Sequence, residues 1–339
     1  NEWAGAPVTI AHPGKGEGTV SASLDLKKGV MLRLCLVYQK GTGDAAVRVE
    51  WQSPQTELAV RQWKQIERAT RKADAVVFVG GIDHSLDTEG RDRLSLTFPQ
   101  LQETLINRLA KLNKRTHVVL INGSPLEIDG WLPNVVSLTE AWYPGMEGGT
   151  AVANILFGKT NPSGRMPFTW PKKLEDAPSY KFGYQDNDNV LYTEGLKVGY
   201  RYFDTAQVEP EFTFGYGLSY TTFHYRNLQL RKTGATTVLG SVEVHNTGSI
   251  DGSELVQVYV KPLRPSVERP QHELKWFKKV FVPAGKSVRV EFELDKGAFS
   301  YYDVRLGNWR VDVGEYDIEL CRDSRSVIEA SRITINDKK

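Results

Sequence analysis

Seven charged or ionisable side chains crowd into residues 83–93, directly after a short apolar run. The run at 76–79 is continuous rather than alternating, which is typical of a parallel strand that helices cover on both faces. In such sheets, ligands bind beyond the carboxyl ends of the strands. The surplus of acids indicates a site whose chemistry uses carboxylates, although a solvated charged loop has the same composition. The seven are Asp83, His84, Asp87, Glu89, Arg91, Asp92 and Arg93.

A second glycine-rich loop follows a predicted strand at 135–139 and leads into a helix. In between, the strand at 117–122 ends in a Gly-Ser-Pro turn. Because the carboxyl ends of parallel strands meet at one edge of a sheet, we expect the two glycine-rich loops to form opposite walls of one cleft. Neither loop contains a nucleotide-binding glycine pattern, so the sequence indicates no cofactor.

Four regions with different patterns follow one another along the chain. Residues 1–53 have short alternating segments, typical of a β domain that is incomplete. Residues 54–176 alternate helices and strands, which predicts a parallel sheet covered by helices. Residues 177–224 are rich in Tyr, Gly and Phe and predict a packed connector. Residues 225–335 contain strands separated by turns, as in a β-sandwich.

Two helices are predicted around the strand at 75–79. The first ends near Lys72 and carries Leu58, Ile66 and Ala69 on its apolar face. The second is opened by Pro99 and presents an apolar stripe at helical spacing. That stripe consists of Leu101, Leu105, Ile106, Leu109 and Leu112.

Composition limits the classes of partner. The 339 residues are 40% hydrophobic and 25% charged, with a formal net charge of +2. This fits two or three globular domains and gives no case for nucleic acid or an anionic membrane as partner. No apolar run has membrane-spanning length, and the first residues lack the features of a signal peptide, which predicts a mature chain or a fragment. Cys35 and Cys321 show no metal-ligand spacing and are predicted to be buried thiols, with a disulfide left open.

Five motifs together resemble, in order, the C-terminal half of family 3 glycoside hydrolases of the β-glucosidase type. The segment 41–52 is similar to the end of the protective-antigen-like carbohydrate-binding domain that some members insert. The C-terminal sandwich resembles the fibronectin type III-like domain of the family. The five motifs occupy 80–93, 141–151, 161–167, 214–223 and 273–280.

The resemblance implies retaining hydrolysis of a β-glycosidic bond by a carboxylate nucleophile and a carboxylic acid that later acts as base. The family's nucleophile is an Asp on an N-terminal barrel, which the 339 residues do not include. The acid/base role falls on Glu89, whose pKa must be raised by burial or by acids such as Asp87 and Asp92. Arg91 and Arg93 oppose this unless they pair with those aspartates.

Neighbouring residues have predicted roles of their own. His84, Asp87 and Trp142 are predicted to bind substrate, His84 at the leaving-group side and Trp142 by stacking on a sugar ring beside Tyr143. An exposed His without a role and a core Trp are the alternatives. Asp92 and Arg93 are expected to form a loop-stabilising ion pair. Within the connector, Glu194 and Tyr200 are expected to pack between domains.

The sequence thus predicts an α/β sandwich domain with a parallel sheet, followed by a fibronectin type III-like sandwich and preceded by a partial β domain. The expected activity is that of a β-glucosidase on a β-linked oligosaccharide or glycoside, without metal or cofactor. The chain is expected to need the barrel half and to be inactive alone. A β-xylosidase is the alternative within the family, because the Gly-Gly-Ile-Asp start of the loop also resembles that branch. A non-catalytic glycan-binding fragment is the other alternative.

Overall fold

The computed structural model describes residues 57–90, 92–99, 101–183 and 191–336, with side chains from Gln62 onward. The chain divides into two compact units, residues 1–61 and 62–339. The predicted partial β domain at 1–53, with Cys35, lies outside the described residues. Its boundary stays a prediction.

A three-stranded parallel sheet forms the centre of the α/β domain. Its order is β1 (Val76–Gly81), β2 (Thr116–Ile121) and β3 (Ser137–Glu140), with β2 in the middle. The parallel sheet is confirmed, and the third strand lies about two residues later than the sequence indicates. All three strands run the same way, so the loops that follow them emerge at one edge.

Three helices accompany this sheet. α2 buries Ile106 and Leu109 against Phe78 of β1 and against β2, which forms the core of the domain. The predicted stripe is wrong at Leu101, which is 68% exposed and precedes the helix with a left-handed φ of 63°. The helices are α1 (Glu57–Lys72), α2 (Gln102–Leu112) and α3 (Gly148–Leu156).

One face of β1 is less covered than its apolar run predicts. Phe78 is buried, whereas Val77 and Val79 are 45% and 56% exposed. Successive strand side chains point to opposite faces, so α2 covers the Phe78 face. The expected cover on both faces is therefore wrong for β1. The expected apolar face of α1 is also exposed at Ile66 and Ala69, in the part of that helix whose side chains are described.

The connector contains two short helices, α4 (Pro178–Phe182) and α5 (Tyr200–Thr205). The ring of Tyr200 stacks on Phe214, and its hydroxyl accepts a hydrogen bond from the backbone N–H of Leu274 in the following sandwich. This confirms the packing role predicted for Tyr200. The same role for Glu194 stays a prediction.

The C-terminal part is a β-sandwich, as predicted. One sheet has the order β12-β11-β6-β7 and the other β4-β5-β8, and a β9–β10 hairpin lies beside them. Cys321 is buried and free, which confirms the predicted thiol at that position. The strands are β4 (Phe223–Lys232), β5 (Val238–Asn246), β6 (Gly252–Pro262), β7 (Glu273–Val282), β8 (Ser287–Leu294), β9 (Ser300–Asp303), β10 (Asn308–Val311), β11 (Gly314–Cys321) and β12 (Val327–Ile335), with the short helix α6 (Lys296–Phe299) between β8 and β9.

A buried ion pair joins the α/β domain to the sandwich. Arg165 lies 2.6 Å from the carboxylate of Glu254 on β6, and both side chains are less than a tenth exposed. The hydroxyl of Tyr225 donates a second hydrogen bond to that carboxylate. Burial of both charges makes this contact sensitive to the loss of either partner.

Candidate active site

The charged loop leaves β1 through a fixed strand end. The side-chain amide of Gln102, at the start of α2, accepts a hydrogen bond from the N–H of Gly81 and donates one to its carbonyl. Gly81 has a φ of 141°, and a side chain there would collide with the carbonyl of Ile121. Glycine is therefore required where β1 passes into the loop.

Asp83 shapes the first turn of the loop. Its Oδ1 atom accepts hydrogen bonds from the backbone N–H and the hydroxyl of Ser85. These bonds, the side-chain one first, lower the pKa of Asp83. Asp83 thus acts as a local turn residue, which is a common role of aspartate in loops.

Asp87 is bound from three directions. Its Oδ2 atom accepts hydrogen bonds from the N–H of Gly123 at 2.9 Å and the hydroxyl of Tyr143 at 2.8 Å. Its Oδ1 atom accepts one from the hydroxyl of Ser124 at 2.9 Å. Partial burial alone would raise the pKa of Asp87, but these hydrogen bonds and the charge of Arg93 outweigh it and lower the pKa. Asp87 is therefore an ionised hydrogen-bond acceptor.

Arg93 contacts the same turn as Asp87. Its guanidinium donates to the hydroxyl of Ser124 at 3.0 Å and to the carbonyl of Pro125 at 2.8 Å. The expected ion pair with Asp92 is wrong, because no salt bridge joins these two described residues and Asp92 is exposed. The Arg93 side chain instead binds the carbonyl of Pro125. The negative charge of Asp87 nearby favours the positively charged guanidinium at this position.

Glu89 lies between these two attachment points. Its side chain is exposed, and no hydrogen bond or ion pair from the described residues reaches its carboxylate. The burial that an acid/base residue needs is therefore not supplied by the described part of this chain. Arg91 lies outside the described residues.

The other predicted substrate-binding residues border the same edge. The exposed ring of His84 lies 5.0 Å from that of Tyr143, and the partly buried Trp142 packs edge-to-face on Phe168 at 5.6 Å. Trp142 also has a left-handed φ of 54°. Substrate contact by His84, Asp87 and Trp142 stays a prediction.

Glu140, at the end of β3, is a partly buried carboxyl that sequence patterns do not single out. It accepts hydrogen bonds from the N–H of Trp142 at 2.9 Å and the amide of Asn122 at 3.2 Å. Burial nevertheless raises the pKa of Glu140 to about 7. No sequence signal marks this residue, because its burial depends on the neighbouring strand.

The loops after the three strands are joined rather than held apart as cleft walls. Asp87 follows β1, Ser124 follows β2 and Tyr143 follows β3, and all three meet through hydrogen bonds. The common edge was predictable from the parallel sheet. The partners of Asp87 were not, because residue type alone does not select one acceptor among several acids.

Two kinds of feature are absent from the ranges that the structure describes. No cluster of three His, Cys, Asp or Glu side chains could hold a metal ion. No helix there combines the length and apolar character needed to cross a membrane.

The described residues thus form an α/β domain with a carboxylate-bearing loop at its sheet edge, followed by a β-sandwich. Residues 13–220 match the model of the glycosyl hydrolase family 3 C-terminal domain, and residues 254–324 match a fibronectin type III-like domain. The chain belongs to glycosyl hydrolase family 3.

Curated relatives are glycosidases of greater length. The chain is 39% identical to thermostable beta-glucosidase B of Acetivibrio thermocellus, over 92% of this chain and 40% of that protein. It is also 39% identical to an exo-alpha-(1->6)-L-arabinopyranosidase of Bifidobacterium breve, over 78% of this chain and 35% of that protein. The chain thus spans less than half the length of these relatives.

Solved structures agree with the fold. A family 3 beta-glucosidase from Bifidobacterium adolescentis superposes with a TM-score of 0.77 at 38% identity, covering 80% of this chain and 40% of that one. A beta-glucosidase from Kluyveromyces marxianus in complex with glucose gives a TM-score of 0.78 at 35% identity, covering 82% and 34%.

Proposed function

We propose that this chain forms the acid/base half of a retaining β-glucosidase and that Glu89 is the acid/base residue. The observation that carries the proposal is the position of Glu89. Its carboxylate is exposed and has no hydrogen-bond partner among the described residues, and its loop is fixed on both sides of it at the carboxyl edge of the parallel sheet. Family membership adds that this edge belongs to a glycosidase.

Retaining hydrolysis needs two carboxyl groups with different tasks. One attacks the anomeric carbon and forms a glycosyl-enzyme intermediate. The other protonates the leaving oxygen and then removes a proton from the attacking water. The proposal gives the second task to Glu89 and assigns the nucleophile to the barrel half that the resemblance implies.

The exposure of Glu89 is consistent with an active site that forms only when this chain and the barrel half come together. An exposed carboxyl is a poor acid near neutral pH, and covering it by an apolar surface or by substrate raises its pKa. In the proposed enzyme, the barrel half and the bound sugar supply that cover. Asp87 contributes a fixed negative charge two residues away.

The sugar at the non-reducing end has two candidates. The relatives named beta-glucosidases support glucose as this sugar. The Bifidobacterium breve relative has the same identity of 39% and is named an arabinopyranosidase. It supports an arabinopyranose as the alternative sugar. Comparing kcat/KM of the complete enzyme on the two nitrophenyl glycosides distinguishes them.

The acid/base assignment is tested in the complete enzyme that contains this chain, with Glu89→Ala. We expect kcat/KM to fall by about 10²–10⁴-fold on an alkyl glucoside, whose leaving group needs protonation. On a dinitrophenyl glucoside we expect a much smaller loss in kcat/KM. Asp74→Asn is the matched control, because Asp74 is an exposed carboxylate at the opposite end of β1.

Near-normal activity of Glu89→Ala on the alkyl glucoside would refute the assignment. If Asp87→Ala then loses that activity, the acid/base role moves to Asp87.

A further inference from the structure

The loop that carries Glu89 is fastened on both sides of this residue to one short turn. Asp87, two residues earlier, binds Gly123 and Ser124, and Arg93, four residues later, binds Ser124 and Pro125. The turn at 123–125 follows the central strand β2, which is the best-buried strand of the sheet. The turn thus continues directly from a buried strand, and Asp87 and Arg93 at the two ends of the segment 87–93 both bind to it.

Most hydrogen-bond acceptor positions of the Asp87 carboxylate are occupied by this attachment. Two neutral hydroxyls and one backbone N–H donate to its two oxygens, at 2.8–2.9 Å. A carboxylate has about four acceptor positions, so three are occupied by protein. An acceptor engaged in this way is suited to holding a loop and has little left for a sugar hydroxyl.

Tyr143 supplies a third point of attachment, from the loop after β3. Its hydroxyl donates to Asp87, and its ring lies over the turn so closely that a side chain at Gly123 would meet both Tyr143 and Asp87. The absence of a side chain at Gly123 is what lets these two residues approach each other. One carboxylate thus ties together the loops after all three strands.

We propose that Asp87 is a positioning residue, which together with Arg93, Ser124 and Tyr143 fixes the loop so that Glu89 is held at the sheet edge. The role rests on the proposed function of Glu89. It assigns Asp87 to orientation of the acid/base residue in place of direct substrate contact.

The attachment itself is tested in the 339-residue chain, by hydrogen–deuterium exchange of peptides that cover 83–93. Asp87→Ala should speed exchange by roughly tenfold or more, since hydrogen bonds to a charged group are lost. Tyr143→Phe and Ser124→Ala each remove one donor and should give smaller increases with the fold intact. Asp92→Ala is the matched control, because Asp92 is an exposed acid on the same loop, and it should leave exchange unchanged.

The consequence for Glu89 is tested by kinetics in the complete enzyme. Tyr143→Phe and Asp87→Ala should lower kcat/KM more for alkyl than for dinitrophenyl glucosides, with Asp87→Ala the larger. That dependence on the leaving group reports on proton donation, which a loss of general stability does not mimic. Asp87→Glu should restore part of the activity, because it keeps a carboxylate acceptor.

Three results would overturn the proposal. Unchanged exchange in Asp87→Ala would show that the attachment is unimportant. Faster exchange without any change in leaving-group dependence would show that the attachment does not position Glu89. An equal rise in KM for both classes of substrate would identify Asp87 as a substrate-binding residue. None of these depends on Glu89→Ala, whose failure would instead refute the proposed function.

Discussion

The Nδ1 atom of His272 lies 2.7 Å from Oε2 of Glu319, where the connector meets the β-sandwich. On the other side of the ring, Nε2 lies 3.6 Å from a carboxylate oxygen of Asp204 in α5. All three residues are more than nine-tenths buried. Burial alone would lower the pKa of His272, but the hydrogen bond with Glu319 and the negative charges of both acids outweigh it and raise the pKa to about 9. The imidazolium therefore joins connector and sandwich at neutral pH.

This pairing predicts an alkaline loss of stability. A histidine whose pKa is raised on folding stabilises the native state fully below its unfolded pKa of about 6.5. The contribution is lost as pH rises through about 9. We expect on the order of 3 kcal/mol to disappear over that interval. Thermal unfolding of the chain between pH 6 and pH 10 measures it.

The variant His272→Gln isolates the effect of the imidazolium. It should be clearly less stable than the unaltered chain at pH 6.5, and the difference should shrink above pH 9. His224→Gln, an exposed histidine on β4, controls for the loss of a ring and should track the unaltered chain. A constant gap across the whole range would argue against titration of His272.

Glu140 predicts a loss of stability in the same direction, with rising pH, but in a more acidic range. Its folded pKa of about 7 lies above the usual 4.5 of a glutamate. The contribution of Glu140 to the free energy of unfolding is therefore largest below pH 4.5, and it is lost as pH rises through about 7. We expect Glu140→Gln to abolish this decline, as measured by urea unfolding at pH 5, 6, 7 and 8.

The control for Glu140 is Glu147→Gln, which removes an exposed carboxylate from the loop that follows β3. It should leave the slope of stability against pH unchanged. If Glu140→Gln has the same slope as the unaltered chain, then Glu140 ionises at an ordinary pH and its burial has no cost.

The ion pair between Arg165 and Glu254 predicts a strong dependence of domain docking on both charges. Arg165→Met should cost about 3–5 kcal/mol, because it leaves a carboxylate buried without its cationic partner. Adding Glu254→Gln should recover a large part of that loss. A double-mutant cycle on chemical unfolding measures the coupling, and simple additivity of the two changes would contradict it.

The 339-residue polypeptide alone should not release nitrophenol from aryl β-glucosides. General acid assistance is worth only about 10²–10⁴-fold, far less than a glycosidase achieves with both carboxyl groups. A colorimetric assay of the purified chain tests this, with Glu89→Ala to identify background. Release that disappears in Glu89→Ala would show that the chain is active without the barrel half.

Much of the fold could be predicted because periodicity reports burial directly. The strand at 117–122 is a continuous apolar run, and β2 is indeed buried along most of its length. Four alternating segments after residue 237 are the strands β5, β6, β8 and β11. The exposed face of β1 could not be predicted, since an apolar run does not state which of its two faces a helix covers.

The site was predictable at the level of the loop and not of its contacts. Family motifs single out Glu89, and the strand order brings its loop to the carboxyl edge. The partner of Arg93 could not be predicted, because Asp92 is adjacent in sequence while Ser124 and Pro125 become adjacent only through the pairing of β1 with β2. Glu140 was missed for the same reason, since its burial arises from the packing of separate segments.

The most direct test of the central claim is azide rescue in the complete enzyme carrying Glu89→Ala. With a dinitrophenyl glucoside, deglycosylation should be slow because no base activates water, and azide should accelerate turnover since it attacks without needing a base. We predict that the product is the β-glucosyl azide, formed with net retention, and that the unaltered enzyme shows no acceleration. Turnover of Glu89→Ala that is unaffected by azide, with glucose as the only product, would contradict the assignment of Glu89 as the acid/base residue.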